Sequence, residues 1–497
     1  MATESGGLSP EYYPKGEDEN KRIKQRLRNS RPWKILSSFC QKLDYILCCG
    51  FIVCRHCFVR CFQLRQSVFS RMAYIGFLLG GCMVSCLMLT PKTKILFSDR
   101  FCQTITYFVC DTLRGYSAVY RVFSAIAIFF FIMSLITFGI SSSKSARSQL
   151  HNNFWGVKIV FLSVLVFSFL FLPHSEYSGE VWVFFGLNGG FVFIILECVL
   201  LIDIVHCWNS SCVVRLESCQ NNRHAFRLWY TILWLPTITL YSVSIISIAL
   251  FYVLYAQQGC YNNMFFISFN VYLCLAATYI SVNPIVQEKR PRSGLLQASV
   301  ITTYNTFVTW LALSNAPDDK CNPSRSYLFP GCPFQNVQLL MSLGLMFFLL
   351  ICSSLRDVSP PQYGKFKLFS SRHAEAPLPS REGIAPDSIE DTPSPEDRPQ
   401  KVVTDDEEDG VEYSYSFFHV MLCLGCLYSM MTVTNWYRPE EGENLTVKLV
   451  SSWGSVWIRI SAAIFSVFIY IWTLVAPVMF PDTYKELVFF QFMLKEN

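Results

Sequence analysis

Several ionisable side chains fall inside or at the ends of strongly apolar stretches of this chain, among them Arg121, Lys158, Glu197, Asp203, His206 and Arg459. Charge is costly in hydrocarbon, so such residues face protein or water and mark candidate functional positions. Glu197 lies deepest, and burial away from a cation or water favours its protonated form. Asp203 and His206, three residues apart, share one helix face near a membrane surface; an interfacial hydrogen-bonded pair is expected there ahead of a catalytic dyad. Lys158 and Arg121 sit near stretch ends, where long side chains can snorkel to the headgroups. For Glu197 and Arg459, function and structural pairing are equally open.

A second polar set lies on one predicted helix. Ser299, Thr302, Thr303 and Thr306 form a stripe at helical spacing, flanked by Gln297, Asn305 and Thr309. Interhelical hydrogen bonding is the ordinary use of such residues, and a partly hydrated groove is the sharper one. Bond-making chemistry is not expected. The chain shows no metalloprotease helix, phosphate loop or nucleophile elbow, so it reads as a non-enzyme with no metal and no cofactor. Cys54, His56, Cys57 and Cys61 lack the second spaced pair of a zinc site; palmitoylation or plain burial suits them better.

The elements that must position these residues are ten apolar stretches: Met72 to Leu89, Ala118 to Ile140, Phe154 to Leu172, Val181 to Val205, Trp229 to Tyr255, Met264 to Ile285, Gly294 to Ser314, Val337 to Leu355, Ser416 to Thr434 and Trp453 to Met479. Each is about the 17 to 25 residues that a helix needs to cross hydrocarbon. An all-α membrane protein with ten transmembrane helices is the expectation. Composition agrees, with 52% hydrophobic and 15% charged residues, against about 25% charged in soluble domains. The formal charge of +5 reflects lysines and arginines gathered on one side, which suits an anionic inner leaflet, and implies no nucleic-acid partner.

Loop charge sets the orientation. Residues 1–71 are basic and Cys-rich, and the connections carrying Lys144 and Arg147, then Arg215, Arg223 and Arg227, then Lys289, Arg290 and Arg292 lie on the same side. Both termini are therefore expected in the cytosol, including the tail 481–497, with spans over 72–355 and 416–480. The start has no apolar core of a cleavable signal. Arg55, His56 and Arg60 argue that Ile46 to Phe62 lies in the inner interface and does not insert. Residues 356–415, rich in Pro, Ser and acids, read as a disordered cytosolic loop, with Thr392, Ser394 and Thr404 as phosphorylation candidates. Asn444 begins a glycosylation acceptor on the outer side. Oxidising conditions there would permit bridges Cys102–Cys110 and Cys321–Cys332, one in each of two outer loops. Gly76/Gly80 and Gly186/Gly190 have the spacing that allows helices to approach closely.

Specific peptides add a family resemblance. Tyr116-Ser117-Ala118-Val119-Tyr120-Arg121-Val122, His151-Asn152-Asn153-Phe154-Trp155, Ser293-Gly294-Leu295-Leu296-Gln297, Met430-Met431-Thr432-Val433-Thr434-Asn435-Trp436 and Thr473-Leu474-Val475-Ala476-Pro477 resemble, in order, hallmarks of the serine incorporator (SERINC) family. That resemblance implies two helical subdomains joined by a long oblique fourth helix, here extended through His206 and Trp208. It also implies a role in serine supply for phosphatidylserine and sphingolipid synthesis, and passive movement of phospholipids between leaflets.

Three readings of function follow. The first is an ATP-independent phospholipid scramblase, in which the polar stripes shelter a headgroup and replace hydration it would otherwise lose. A serine or small-solute carrier is the second, favoured by helix-breaking signals at Pro236 and Asn283-Pro284. The third is a scaffold that recruits lipid-synthesising enzymes through its cytosolic loop. Membrane phospholipids are the expected partners; self-association is open, and the site of residence is the plasma membrane or the endoplasmic reticulum and Golgi membranes.

Overall fold

Inside a bilayer the backbone has no water to bond, so an apolar stretch must close its hydrogen bonds within a helix. The computed structural model describes residues 66–89, 115–140, 145–171, 176–219, 222–289, 294–318, 320–323, 334–356, 413–436 and 453–479. Among these residues the regular structure is entirely helical. In chain order the helices are α1 (Gln66–Leu89), α2 (Gly115–Ile136), α3 (Ala146–Asn152), α4 (Trp155–Leu170), α5 (Glu176–Ser218), α6 (Arg223–Tyr255), α7 (Tyr261–Val282), α8 (Pro284–Lys289), α9 (Leu295–Leu313), α10 (Phe334–Arg356), α11 (Tyr415–Val433) and α12 (Trp453–Met479). Every apolar stretch holds one long helix, although the sixth runs past the break at Asn283 into α8 and α5 extends to Ser218, beyond the fourth. The short α3 and α8 are additions to that pattern.

Eight described helices are long and apolar enough to cross a membrane: α1, α2, α5, α6, α7, α10, α11 and α12. A ninth crossing results if α3 and α4, bent by 75° at their junction, count as one span. The remaining helix, α9, has 19 residues but is the one that carries the polar stripes. Its polarity is tolerated because it is enclosed: α9 packs against α5, α6, α7 and α12, and most of its side chains are buried.

Local chemistry explains the breaks. Ser145 caps α3 by accepting from the Ser148 amide, Asn222 caps α6 at His224 and Ala225, and Ser414 caps α11 at Phe417. Phe154 takes a left-handed conformation, φ 59°, and turns the chain between α3 and α4. Pro236 lies inside α6 without interrupting it, whereas Asn283 and Pro284 separate α7 from α8. With 43 residues, α5 is on the order of 65 Å long at 1.5 Å per residue, about twice the hydrocarbon thickness. It continues unbroken past His206 and Trp208.

Packing gathers around two sets of helices. α2 packs against α1, α4 and α11, and α10 against α1 and α11. α9 packs against α6, α7 and α12. Between these sets runs α5, which touches α10 and α11 on one side and α6, α9 and α12 on the other. Gly186 and Gly190 allow the α5–α11 approach: a Cβ at Gly186 would lie 2.6 Å from Met431 Sδ, and one at Gly190 3.1 Å from the Trp436 ring. Gly76 and Gly80 share that spacing but have nothing within 4 Å of an added Cβ among the described residues; neighbouring Gly81, against Ile126 of α2, makes the close contact instead.

Candidate functional site

A cavity of about 390 Å³ lies between α6, α9 and α10. One face of α6 supplies Ser244, Ser247, Phe251 and Leu254, at the three-to-four-residue spacing that aligns side chains on a helix. Thr303, Thr306, Phe307 and Trp310 of α9 face them, and Met341 closes the α10 side. The wall is thus apolar with a few hydroxyls. At the rim, Val243, Leu250 and Met341 are about half exposed (47%, 50% and 47%), so the cavity reaches the apolar outer surface of the helices.

The hydroxyls are tied into the helix backbones. Thr303 donates to the Ser299 carbonyl at 2.8 Å and lies 3.0 Å from the Ser244 hydroxyl. Behind the wall, Asn305 Nδ2 donates to Asn270 Oδ1 at 2.6 Å, and Asn270 Nδ2 reaches Thr306 Oγ1 at 3.5 Å. The stripe therefore divides. Thr303 and Thr306 border the cavity, while Gln297, Ser299, Thr302, Asn305 and Thr309 are buried between helices. Asn270 had not been singled out, although an amide in an apolar stretch is itself a signal of interhelical bonding.

One end of the cavity is fastened covalently. Cys321 pairs with Cys260, at the start of α7, and not with Cys332 as expected from their shared loop. The physical reason is the fold: α6–α7 and the segment after α9 meet here, where Asn263 Nδ2 donates to the carbonyls of both Tyr255 and Cys321 at 3.1 and 3.0 Å. Cys332 lies outside the described residues, as do Cys102, Cys110, Asn444, Thr392, Ser394, Thr404 and the segment 46–62.

The other ionisable residues lie away from the cavity. Glu197 is 3% exposed and accepts from Tyr304 of α9 at 3.3 Å. Buried Arg459 donates to the Leu311 carbonyl at 2.6 Å and stacks 5.3 Å from the Trp436 ring. Arg121 ties α2 to the end of α4 through the Leu170 carbonyl, 3.0 Å, where a helix C-terminus favours a cation. Lys158 turns inward, not toward the headgroups: it is buried, donates to the His151 carbonyl at 2.7 Å and lies 3.7 Å from the Trp155 ring centroid. Asp203 is buried and His206 half-buried on α5, three residues apart. No group of three or more His, Cys, Asp or Glu able to hold a metal occurs among the described residues.

A cluster missed by the sequence reading lies beneath α3. His151 Nδ1 is 3.0 Å from His419 Nε2 of α11, and His151 Nε2 is 3.0 Å from the Tyr413 hydroxyl. Tyr415 stacks on the His151 ring at 4.1 Å.

Comparison with known proteins matches residues 46–483 to the family model described as Serine incorporator (Serinc). The chain belongs to the serine incorporator family. It is 39% identical to a probable serine incorporator of Nematostella vectensis over 447 residues, 88% of this chain and 93% of that protein. Serine incorporator 2 of Bos taurus and serine incorporator 3 of Mus musculus are each 36% identical, over 84% of this chain and 92% of those proteins. Family and apolar helices together make this serine incorporator a multi-pass membrane protein.

Proposed function

We propose that this serine incorporator moves phospholipids passively between leaflets, linked to the supply of serine-derived lipids such as phosphatidylserine and sphingolipids. The observation that carries the reading is the cavity between α6, α9 and α10, whose apolar wall carries hydroxyls and whose rim opens among half-exposed apolar side chains. Its volume falls in the range of about 300 to 1,000 Å³ usual for small-ligand sites. Leu250, Phe251 and Met341 suit acyl chains, and Ser247, Thr303 and Thr306 suit the ester and glycerol oxygens. Hydroxyls at that level offset part of the hydration a lipid loses on entering hydrocarbon. No bond is made or broken.

The same reading takes the two packed sets of helices as two subdomains joined by an oblique α5, with α9 completing ten crossings and both termini in the cytosol. A serine carrier is the rival, which the family name itself suggests. Carriers of that kind build their sites from interrupted helices; α6 runs through Pro236 unbroken, and the break at Asn283 and Pro284, between α7 and α8, does not line the cavity.

Purified protein in vesicles, without ATP, should expose inner-leaflet labelled phospholipid to a membrane-impermeant reductant much faster than protein-free vesicles do. A flip rate equal to that of empty vesicles removes the proposal, and saturable serine uptake by the same vesicles establishes the rival.

A further inference from the structure

Where α5 meets α9, α11 and α12, a carboxyl lies inside protein with an arrangement of neighbours that suits one protonation state. The Tyr304 hydroxyl is 3.3 Å from Glu197 Oε2 and 3.0 Å from the Ile194 carbonyl. It has one proton to offer two acceptors. When Glu197 carries a proton the conflict disappears: Glu197 donates to Tyr304 Oη, and Tyr304 donates to the Ile194 carbonyl. Ionised, the carboxylate must share that single proton, and its Oε1 has no hydrogen-bond partner among the described residues.

The charged and titratable groups around it do not offer direct compensation. α11 brings Tyr428, placed to interact with both Glu197 and Arg459. On α12, Arg459 is engaged by the Leu311 carbonyl and the Trp436 ring. α10 brings the hydroxyl of Ser342 toward Tyr428, and α6 meets α5 at its far end, where Arg215 stacks on Trp229. On α5 itself, Cys198 donates to the Ser466 carbonyl at 3.7 Å. The Trp436 indole N–H is a further buried polar atom without a hydrogen-bond partner among the described residues.

We propose that Glu197 is a reversible proton-binding site set in the junction of α5 with α9, α11 and α12. Its proton is held while the junction is closed and passes to water when the helices part, leaving the carboxylate hydrated. Because α5 links both sets of helices, the solution pH then acts on how tightly they are joined. The ligand is a proton rather than a metal ion: the one hydrogen bond at the carboxyl comes from Tyr304, whose hydroxyl also serves a helix carbonyl, and no cluster of three or more metal-ligating side chains occurs among the described residues.

Infrared difference spectroscopy of the full-length protein in lipid tests the site without relying on lipid movement. A carboxyl C=O band should appear in the wild type at mildly acidic pH, decline at alkaline pH and be missing from Glu197→Gln. Tyr304→Phe, which removes the acceptor of that proton, should shift the titration of the band. Labelling of neighbouring Cys198 should rise with pH more steeply in the wild type than in Glu197→Gln. A Glu197 band that is absent at every pH, or present and invariant throughout, overturns the proposal. So does an identical Cys198 profile in the two proteins.

Discussion

Cys260 and Cys321 are joined across 61 residues of sequence, with their Cα atoms 5.6 Å apart. The bond fixes the turn between α6 and α7 to the segment that follows α9. Tyr255 and Pro323, each close in sequence to one of the cysteines, line the cavity. The disulfide therefore holds two of its walls in register. Loop closure of this length stabilises a soluble chain by about 4 kcal/mol, an upper figure here because membrane helices restrict the unfolded chain as well. Cys260→Ser and Cys321→Ser should each lower the thermal stability of the purified protein by several degrees, and the double substitution by no more than either alone. Alkylation of Cys260 or Cys321 in the unreduced wild type would rule out the bond.

Filling the cavity should slow lipid movement while leaving the fold intact. Ser247 lies half-buried on α6 and lines the cavity, so Ser247→Trp places a ring in open volume rather than in a packed core. The expected loss of flip rate is at least about tenfold, about 1.4 kcal/mol on the barrier. Ser247→Ala, which keeps the space and removes one hydroxyl, should cost much less. Equal rates for the tryptophan variant and the wild type would separate the cavity from the lipid path.

Much of this architecture was legible because hydrocarbon leaves the backbone one solution: each apolar stretch holds a long helix, eight of them long and apolar enough to cross a membrane, although α5 runs on to Ser218, past the expected end at Val205. Ser299, Thr302 and Asn305 were recognisable as polar, but spacing on one helix does not say which neighbour each meets; only Thr303 and Thr306 turned to the cavity. Cys260 was overlooked since its loop is short and uncharged, and shared-loop proximity pointed Cys321 to Cys332. His419 lies inside an apolar stretch and so carries a signal, but nothing local ties it to His151, 268 residues away. Lys158 looked like an anchor because position near a helix end says nothing about which way the side chain turns.

The two glycine pairs make opposite forecasts from identical spacing. Gly186→Leu must displace Met430 and Met431 across the α5–α11 contact, and overpacking of this kind costs about 1 to 3 kcal/mol or more. At Gly76, with nothing within reach of an added Cβ, Gly76→Ala should be neutral or stabilise by up to about 1 kcal/mol through helix propensity. Thermal unfolding in one detergent compares them directly. A destabilised Gly76→Ala would reveal a helix contact on that face, and an unperturbed Gly186→Leu would contradict the packing of α5 on α11.

The histidine pair should behave as a unit that holds α3 to α11. If Tyr413 donates to His151 Nε2, the His151 Nδ1–H donates to His419 Nε2; the opposite set of tautomers satisfies the same two contacts. Either way, deleting one member leaves a buried nitrogen or hydroxyl unbonded, and both histidines are fully buried. His419→Phe retains the ring and removes the bond, at an expected cost of about 1 to 3 kcal/mol; Tyr413→Phe should cost about 1 kcal/mol. Because His151 is the shared partner, the double variant should lose less than the sum of the two. Thermal unfolding of the four proteins measures that coupling. Strict additivity would mean that the two contacts act independently, and flip rates per folded molecule should stay at the wild-type level because the pair lies outside the cavity wall.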